Sequence, residues 1–321
     1  MTSIGQEKMT KLTIGVDVSK DHLDIHVLPA GDVMTVKNRK ASFAGLVRRF
    51  RKLGPEIIVL EPTGPYHRAF EQAMHDAGLP ICKVNPLYAR RFAQAAGILA
   101  KTDRVDAAML ARMGFALDLE PQQPQRETVA SLREMAMFRR GLMKESTATL
   151  NRQKVLTDAL LKRLCAAQLR QIERQVKQLD AEIRRAVAAD HQLKRYKEIL
   201  TSIPGISDVT ALTVLVEMPE IGTLSSSQVA SLAGLAPMTR ESGKWKGKSF
   251  IQGGRAVLRH AMYMPALVAA RHNPDMRVLY ERLVASGKPA KVAITAVMRK
   301  LIILANTLIK ADRKWLAGPA V

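Results

Sequence analysis

Cysteine is scarce in this chain: two among 321 residues, Cys82 and Cys165, in different segments and without metal-ligand spacing. That excludes a disulfide-stapled scaffold and fits a reduced cytosolic protein. Aromatic side chains make up only 4% of the sequence, which argues against a base-stacking platform for single strands. Acidic residues are outnumbered, 29 against 50 Lys and Arg, for a net charge of +21. Such a charge calls for a polyanionic partner, and nucleic acid is the default. A membrane surface competes poorly, because the basic residues are dispersed and no lipidation signal occurs. Met1–Lys11 has no signal-peptide apolar core. The longest apolar stretch, Leu301–Ile309, contains Asn306 and Thr307 and is expected to be too short to span a bilayer. No internal repeat or low-complexity tract occurs.

What is present is enough apolar content, 47%, for real cores in a chain of about two domains. Residues 1–127 read as a mixed α/β unit. Thr13–Val18 and Leu23–Leu28 have strand character and are joined by a short polar turn, which predicts a hairpin. Val33–Val36 supplies a third strand. Phe43–Leu53 has helical spacing, Ile57–Glu61 is a short buried strand, and Pro65–Ala77 is a helix stopped by Gly78. Ile81–Val84 is another strand, Pro86 opens a helix, and Asp103–Leu117 is a helix. Strands in a hairpin followed by alternating helix and strand predict a sheet with helices packed on it.

Residues 128–197 contain no proline and a single glycine, Gly141. Leu169, Ile172, Val176, Leu179, Ile183 and Ala186 step by three and four, a heptad seam with Leu193 back in register. This predicts a pair of long helices as a coiled-coil linker. The seam serves either a hairpin on its own chain or self-association, and self-association is the expectation. Residues 198–321 read as mainly α. Leu200–Ile206, with Pro204-Gly205, resembles a helix-hairpin-helix whose backbone N–H groups suit a phosphate. Helices are expected near Arg255–Arg271, Asp275–Ser286 and Pro289–Lys310.

Four carboxylates in the first third carry chemistry. Asp17 interrupts the apolar run Thr13–Val18, Glu61 ends the run Ile57–Leu60, and Asp103 and Asp106 share one face at the start of a helix. Asp103 alone could cap a helix and Glu61 alone could be a strand-end charge. A charge inside a strand is costly unless it is paired or metal-bound. An acid in a first strand, one ending a neighbouring strand and a pair on a later helix form an RNase H-like arrangement. Such a quartet can hold two metals about 4 Å apart for in-line phosphoryl displacement. Hard carboxylate oxygens favour Mg2+. An actin-like phosphotransferase also begins with a strand, Asp and turn, but its second glycine-rich phosphate loop is missing here.

A second feature is the loop Ala236–Gly254 with the helix that follows it. From Arg240 to Arg259 it carries Arg240, Lys244, Lys246, Lys248, Arg255 and Arg259 against one acid, Glu241. Its glycines allow backbone to approach a phosphate closely. Arg255 and Arg259 lie one helical turn apart and can grip phosphate oxygens. Ser242 in this loop could be a phosphate ligand, a turn residue or a nucleophile. A serine nucleophile needs activation, and the nearest histidine, His260, reads as a helix-surface residue.

The chain resembles the transposases of the insertion sequence 110 family across nearly its whole length. The resemblance rests on Gly15–Lys20 with Leu23-Asp24, Glu61–Tyr66, Val84-Asn85-Pro86, Phe92-Ala93, Lys101–Ala107, Ile203–Ile206, Ala233–Pro237, Glu241-Ser242-Gly243, Leu258-Arg259 and Tyr263–Ala266. It implies a RuvC-like DEDD domain, a coiled-coil linker and a C-terminal transposase domain. It places Asp17, Glu61, Asp103 and Asp106 as the metal-binding, catalytic acids and Ser242 as the catalytic serine. It further implies recombination of donor and target double-stranded DNA guided by a structured non-coding RNA, the bridge RNA. The intermediate would be a 5′-phosphoserine, Mg2+ the metal, and dimers and tetramers the working assemblies. The implied location is the cytoplasm, on the nucleoid, with no membrane partner. Two other readings stand beside it: a junction-type nuclease that uses only the acids, and a non-catalytic nucleic-acid scaffold.

Overall fold

A computed structural model describes residues 11–98, 103–124, 126–239, 241–242, 245–247 and 249–316, with side chains omitted at 103–104 and 245–246. The chain divides into two compact units, Met1–Gln125 and Arg126–Val321. The long linker helices share the second unit with the C-terminal helices.

The first unit is built on β1 (Thr13–Val18), β2 (His22–Leu28), β3 (Asp32–Lys37), α1 (Lys40–Leu53), β4 (Ile57–Leu60), α2 (Arg68–Asp76), β5 (Ile81–Lys83), α3 (Pro86–Ala95) and α4 (Asp103–Ala116). The strand order is β3-β2-β1-β4-β5. The β1–β2 and β2–β3 ladders are antiparallel, whereas β1–β4 and β4–β5 are parallel. A three-stranded meander extended by two parallel strands is the RNase H-like topology anticipated from the acids, and it is shared by RuvC-like domains. Two of the expected boundaries that shift lie next to the acids. Glu61 leaves β4 by one residue, and α2 begins at Arg68 rather than Pro65, because turns Thr63–Tyr66 and Pro65–Arg68 precede it.

Strand alternation divides this unit into two cores. Ile14, Val16, Val18, Leu23, Ile25, Val27, Ile58 and Leu60 face α1 and α2, meeting Phe43, Phe50, Phe70 and Met74. Ile57 and Val59 face the other way, towards Met109, Leu110 and Met113 of α4. Local signals fix the helix ends. Gly54 closes α1 in the left-handed region at φ 64°. Asn85 caps α3, its side chain accepting from Leu87 N, with Pro86 at the first helical position.

The second unit opens with α5 (Glu127–Val155) and α6 (Ala159–Ala189), an antiparallel pair. The ion pairs Arg139–Asp180 and Arg126–Asp190 tie them together along their length. Ile183, Val187 and Ala186 of α6 pack with Val129 and Leu132 of α5, so this part of the apolar stripe is used within the chain. After Asp190 caps the next element follow α7 (His191–Thr201), α8 (Asp208–Glu217) and α9 (Ser226–Leu232). Short strands β6 (Pro237–Met238), β7 (Glu241–Ser242), β8 (Trp245–Lys246) and β9 (Phe250–Ile251) come next. The chain ends in α10 (Ala256–Ala261), α11 (Tyr263–His272), α12 (Pro274–Ala285) and α13 (Ala290–Lys310). The single helix expected over 255–271 is thus two, meeting at Met262.

The turn between α7 and α8 packs inward. A Cβ on Gly205 (φ 106°) would lie 2.7 Å from Pro265 O and 2.9 Å from the Ala269 methyl of α11. The expected brevity of the last apolar stretch is corrected: among the described residues α13 is long and apolar enough to cross a bilayer. Here it is the central core helix, with Ala293, Val297, Leu301, Ile302, Ala305 and Leu308 buried against α7, α8, α9 and α11.

Candidate active site

Three acids of the first unit, Asp24, Asp17 and Glu61, lie in a row along β2, β1 and the end of β4. Asp17 pairs with Asp24 in the β1–β2 ladder. The parallel β1–β4 ladder reaches Val16–Leu60, so Glu61 is the next residue along, beside Asp17. Cross-strand partners project from the same face of a sheet. That face is the one α4 covers, because Thr13, four residues back from Asp17 on β1 and so on the same face, donates from Oγ1 to Ala111 O at 2.9 Å.

Glycine at position 15 sets how closely helix and strand approach. An added Cβ would stand 2.0 Å from Ala107 O and 2.4 Å from Ala111 N. Four helical residues advance about 6 Å, and two strand residues about 6.6 Å. α4 therefore marches back along β1 in step, with Ala111 over Thr13 and Ala107 over Gly15. Continued for one more turn, the same step would set Asp103 level with Asp17, with Asp106 in that first turn. Asp17, Glu61 and Asp106 are each half-buried. The Asp103 side chain lies outside the described residues.

Asp24 was not singled out as a site residue by sequence reasoning, yet it is buried, opposite Asp17 in register, and accepts a hydrogen bond from Thr35 Oγ1 at 2.5 Å. The available signal was its count from the hairpin turn, which matches that of Asp17. His26, two residues on, is held below its ordinary pKa by burial and secondly by Arg112 of α4, so it adds no positive charge beside the acids. The donor set is thus carboxylate oxygen, the chemistry of a hard divalent cation. Among the described residues no three metal-ligating side chains gather where they could together hold a metal ion.

The loop that follows Glu61 is anchored at its far end. The buried Glu71 carboxylate receives Lys83 Nζ at 2.6 Å and stands 3.8 Å from His67 Nε2.

In the second unit Ser242 is exposed and pairs with Trp245 across the β7–β8 ladder. Among the described residues no side chain hydrogen-bonds its hydroxyl. The base of the loop is tightly fixed. β6 and β9 pair through Pro237–Ile251 and Met238–Phe250. Gly234 and Gly254, both in the left-handed region, touch backbone to backbone, and a Cβ on Gly254 would lie 2.2 Å from Gly234 N. Arg259 Nη1 donates to Gly253 O at 2.7 Å and to Gly234 O at 3.3 Å. Arg255 donates to both Glu220 carboxylate oxygens, at 2.7 and 2.8 Å, and to Glu217 O at 2.6 Å. Burial pushes the Glu220 carboxyl up, but the Arg255 hydrogen bonds and charge outweigh it and hold the group below its ordinary range. Both arginines expected to bind phosphate are therefore engaged by the protein itself. Arg240, Lys244 and Lys248 lie outside the described residues, as does the Lys246 side chain.

Two family models divide the chain between them. One, DEDD_Tnp_IS110, described as a transposase, matches residues 14–165; the other, described as the transposase IS116/IS110/IS902 family, matches residues 197–281. The chain belongs to the insertion sequence 110 family of transposases. The two matches fall on the acid-bearing unit and on the serine loop respectively. The chain is similar to the pilin gene-inverting protein of Moraxella bovis, 28% identical over 96% of this chain and 98% of that one. An insertion element IS110 protein of 43.6 kDa from Streptomyces coelicolor is 34% identical over 43% of this chain and 33% of its own length. Among solved structures, T. thermophilus RuvC in complex with a Holliday junction substrate is similar over 35% of this chain and 99% of that chain, with 16% identity and a TM-score of 0.28.

Proposed function

We propose that this transposase is an RNA-guided DNA recombinase that uses Ser242 as nucleophile and the Asp17–Glu61–Asp103–Asp106 quartet as a divalent-metal site, with Mg2+ the cation. The observation that supports the metal reading is the close packing of α4 on β1 at Gly15, a step that, continued one turn, would bring the start of α4 towards Asp17 and its neighbour Glu61. A bound magnesium would supply charge neutralisation at the phosphate, and it commonly takes only one or two protein carboxylates beside phosphate oxygens and water. An incomplete protein cage is compatible with that habit.

Each transfer replaces one phosphoester by another. The Ser242 oxygen bonds to phosphorus, the bond to the 3′ oxygen breaks, and the leaving oxygen takes up a proton while the serine proton passes to solvent. The 5′-phosphoserine conserves the bond energy for rejoining. Ser242 is exposed on a hairpin whose base is braced by Arg255 and Arg259, so an accessible serine would be presented from a fixed stem. Arg240, Lys244, Lys246 and Lys248 would attract the DNA backbone. A relative matching nearly the full chain is named for gene inversion, a rearrangement that requires rejoining as well as cutting. That supports a covalent intermediate over simple hydrolysis. Guide RNA, dimers and tetramers are part of the proposal. Self-association would use the exposed Met137, Phe138 and Leu164 of the α5–α6 pair. A nucleoid-associated cytoplasmic location follows from the DNA partner.

A second reading has one observation in its favour. No described side chain stands as a base at Ser242, so the acids alone could direct metal-activated water in a junction nuclease. Covalent trapping separates the two. With guide RNA, Mg2+ and a labelled nicked duplex, wild type should yield a protein–DNA adduct on a denaturing gel, and Ser242→Ala should yield none. Free cleaved DNA without adduct from both proteins would establish the nuclease.

A further inference from the structure

We propose that Asn38 is a positioning residue for the acid site, setting the spacing between the strand ends that carry Asp17 and Glu61. Its side-chain amide donates to two carbonyls from different segments, Ser19 O at 2.8 Å and Tyr66 O at 3.1 Å. Ser19 lies two residues beyond Asp17, and Tyr66 lies in the loop that begins at Glu61. One planar NH2 group therefore joins the turn after β1 to the loop after β4.

The clamp is itself held. Asn38 follows directly on β3, and its backbone N donates to Asp21 O at 2.8 Å. The turn it grips is closed locally, with Ser19 Oγ donating to His22 O at 2.9 Å and accepting from His22 N at 3.0 Å. The loop it grips is pinned one residue later, where His67 rests against Glu71, a carboxylate that Lys83 also holds. The β1–β4 ladder stops at Val16–Leu60, so ladder hydrogen bonds no longer set the separation where Asp17 and Glu61 sit. Asn38 provides a cross-link just beyond that point. An amide with two donors on one nitrogen suits two carbonyls; a carboxylate there would repel both, and a hydroxyl has one donor.

This inference rests on the metal reading of the acids, and its test uses metal binding rather than turnover. Mn2+ binding to the full-length protein without DNA is measured by calorimetry for wild type, Asp17→Asn, Asn38→Ala and Asn38→Ser. Thermal melting is recorded without metal, and amide hydrogen exchange is followed over residues 62–67. Asp17→Asn is expected to abolish binding. Loss of a partner that orients metal ligands typically weakens metal affinity by about 10-fold or more, and both Asn38 variants should do so while exchange in the loop accelerates. Unchanged Mn2+ affinity in the Asn38 variants, with binding lost in Asp17→Asn, overturns the positioning role, even if the melting temperature falls. Unchanged affinity in Asp17→Asn overturns the metal reading itself, and the Asn38 proposal with it. Asn38→Ser keeps a polar side chain and carries the test if the alanine variant does not fold.

Discussion

Glu71 shows how a single buried charge is made tolerable. Its carboxylate is 4% exposed, and Lys83 and His67 share it. Burial holds His67 below its ordinary pKa, outweighing the opposite pull of Glu71, while Lys83 and Arg68 add to the lowering. The sign of the pH effect follows. As the pH falls below the ordinary histidine range, the unfolded chain takes up a proton that the native His67 still refuses. Stability contributed by this site is complete above that range and is lost as the pH falls through the lowered native value. Urea unfolding at pH 7.5 and about pH 5.5 should therefore show a smaller acid loss in His67→Gln than in wild type. Equal losses in both proteins would show that His67 is not the group responsible. Glu220 behaves in the same sense at lower pH, since its native carboxyl is held below its ordinary range by Arg255.

Packing between β1 and α4 is decided by one missing methyl group. Gly15→Ala would drive a Cβ into backbone atoms of Ala107 and Ala111, and backbone cannot yield as a flexible side chain does. The expected cost is about 1–3 kcal/mol or more, read as a drop in urea midpoint. Metal binding should weaken with it, because α4 also carries Asp103 and Asp106. Gly141 is the contrasting case. It lies inside α5 with nothing within 4 Å of an added Cβ, so Gly141→Ala should stabilise by about 0.5–1 kcal/mol. Opposite signs for two glycine-to-alanine changes would show that close approach, and not glycine content, governs the first unit. A destabilising Gly141→Ala would point to a partner packed on that face of α5.

Charge is a property of the entire chain. A net charge of +21 would make the proposed DNA and RNA binding strongly salt-dependent, because each neutralised phosphate releases counterions. On duplex DNA, log K should fall linearly with log salt with a slope of about −0.9 per phosphate contacted. Filter-binding titrations across a salt series test this. Replacing Lys246 with Ala should reduce the slope by about 1 if its ammonium meets a phosphate. Replacing Arg255 should instead lower the melting temperature, since its guanidinium is spent on Glu220 and Glu217.

The first unit was readable because its signals are local. Alternation and apolar runs marked all five strands, and a carboxylate inside Thr13–Val18 marked the place of the proposed site. The order of the sheet, the register that sets Asp24 opposite Asp17, and the cross-link at Asn38 were not readable. They depend on contacts between residues distant in the chain, and a polar residue after an edge strand has no periodic signature. In the serine loop, composition identified six basic residues without distinguishing their tasks. Sequence spacing places Arg255 and Arg259 on one helix face, but only folding brings Glu220 and Gly253 to meet them. Residue types and their order along the chain thus determine the chemistry proposed for this protein: carboxylate oxygens for a hard cation, a serine for phosphorus, and positive charge for nucleic acid. Which carboxylates share a face, and which arginines remain available to a ligand, is decided by tertiary packing, because burial and pairing are set by neighbours that the linear order does not name.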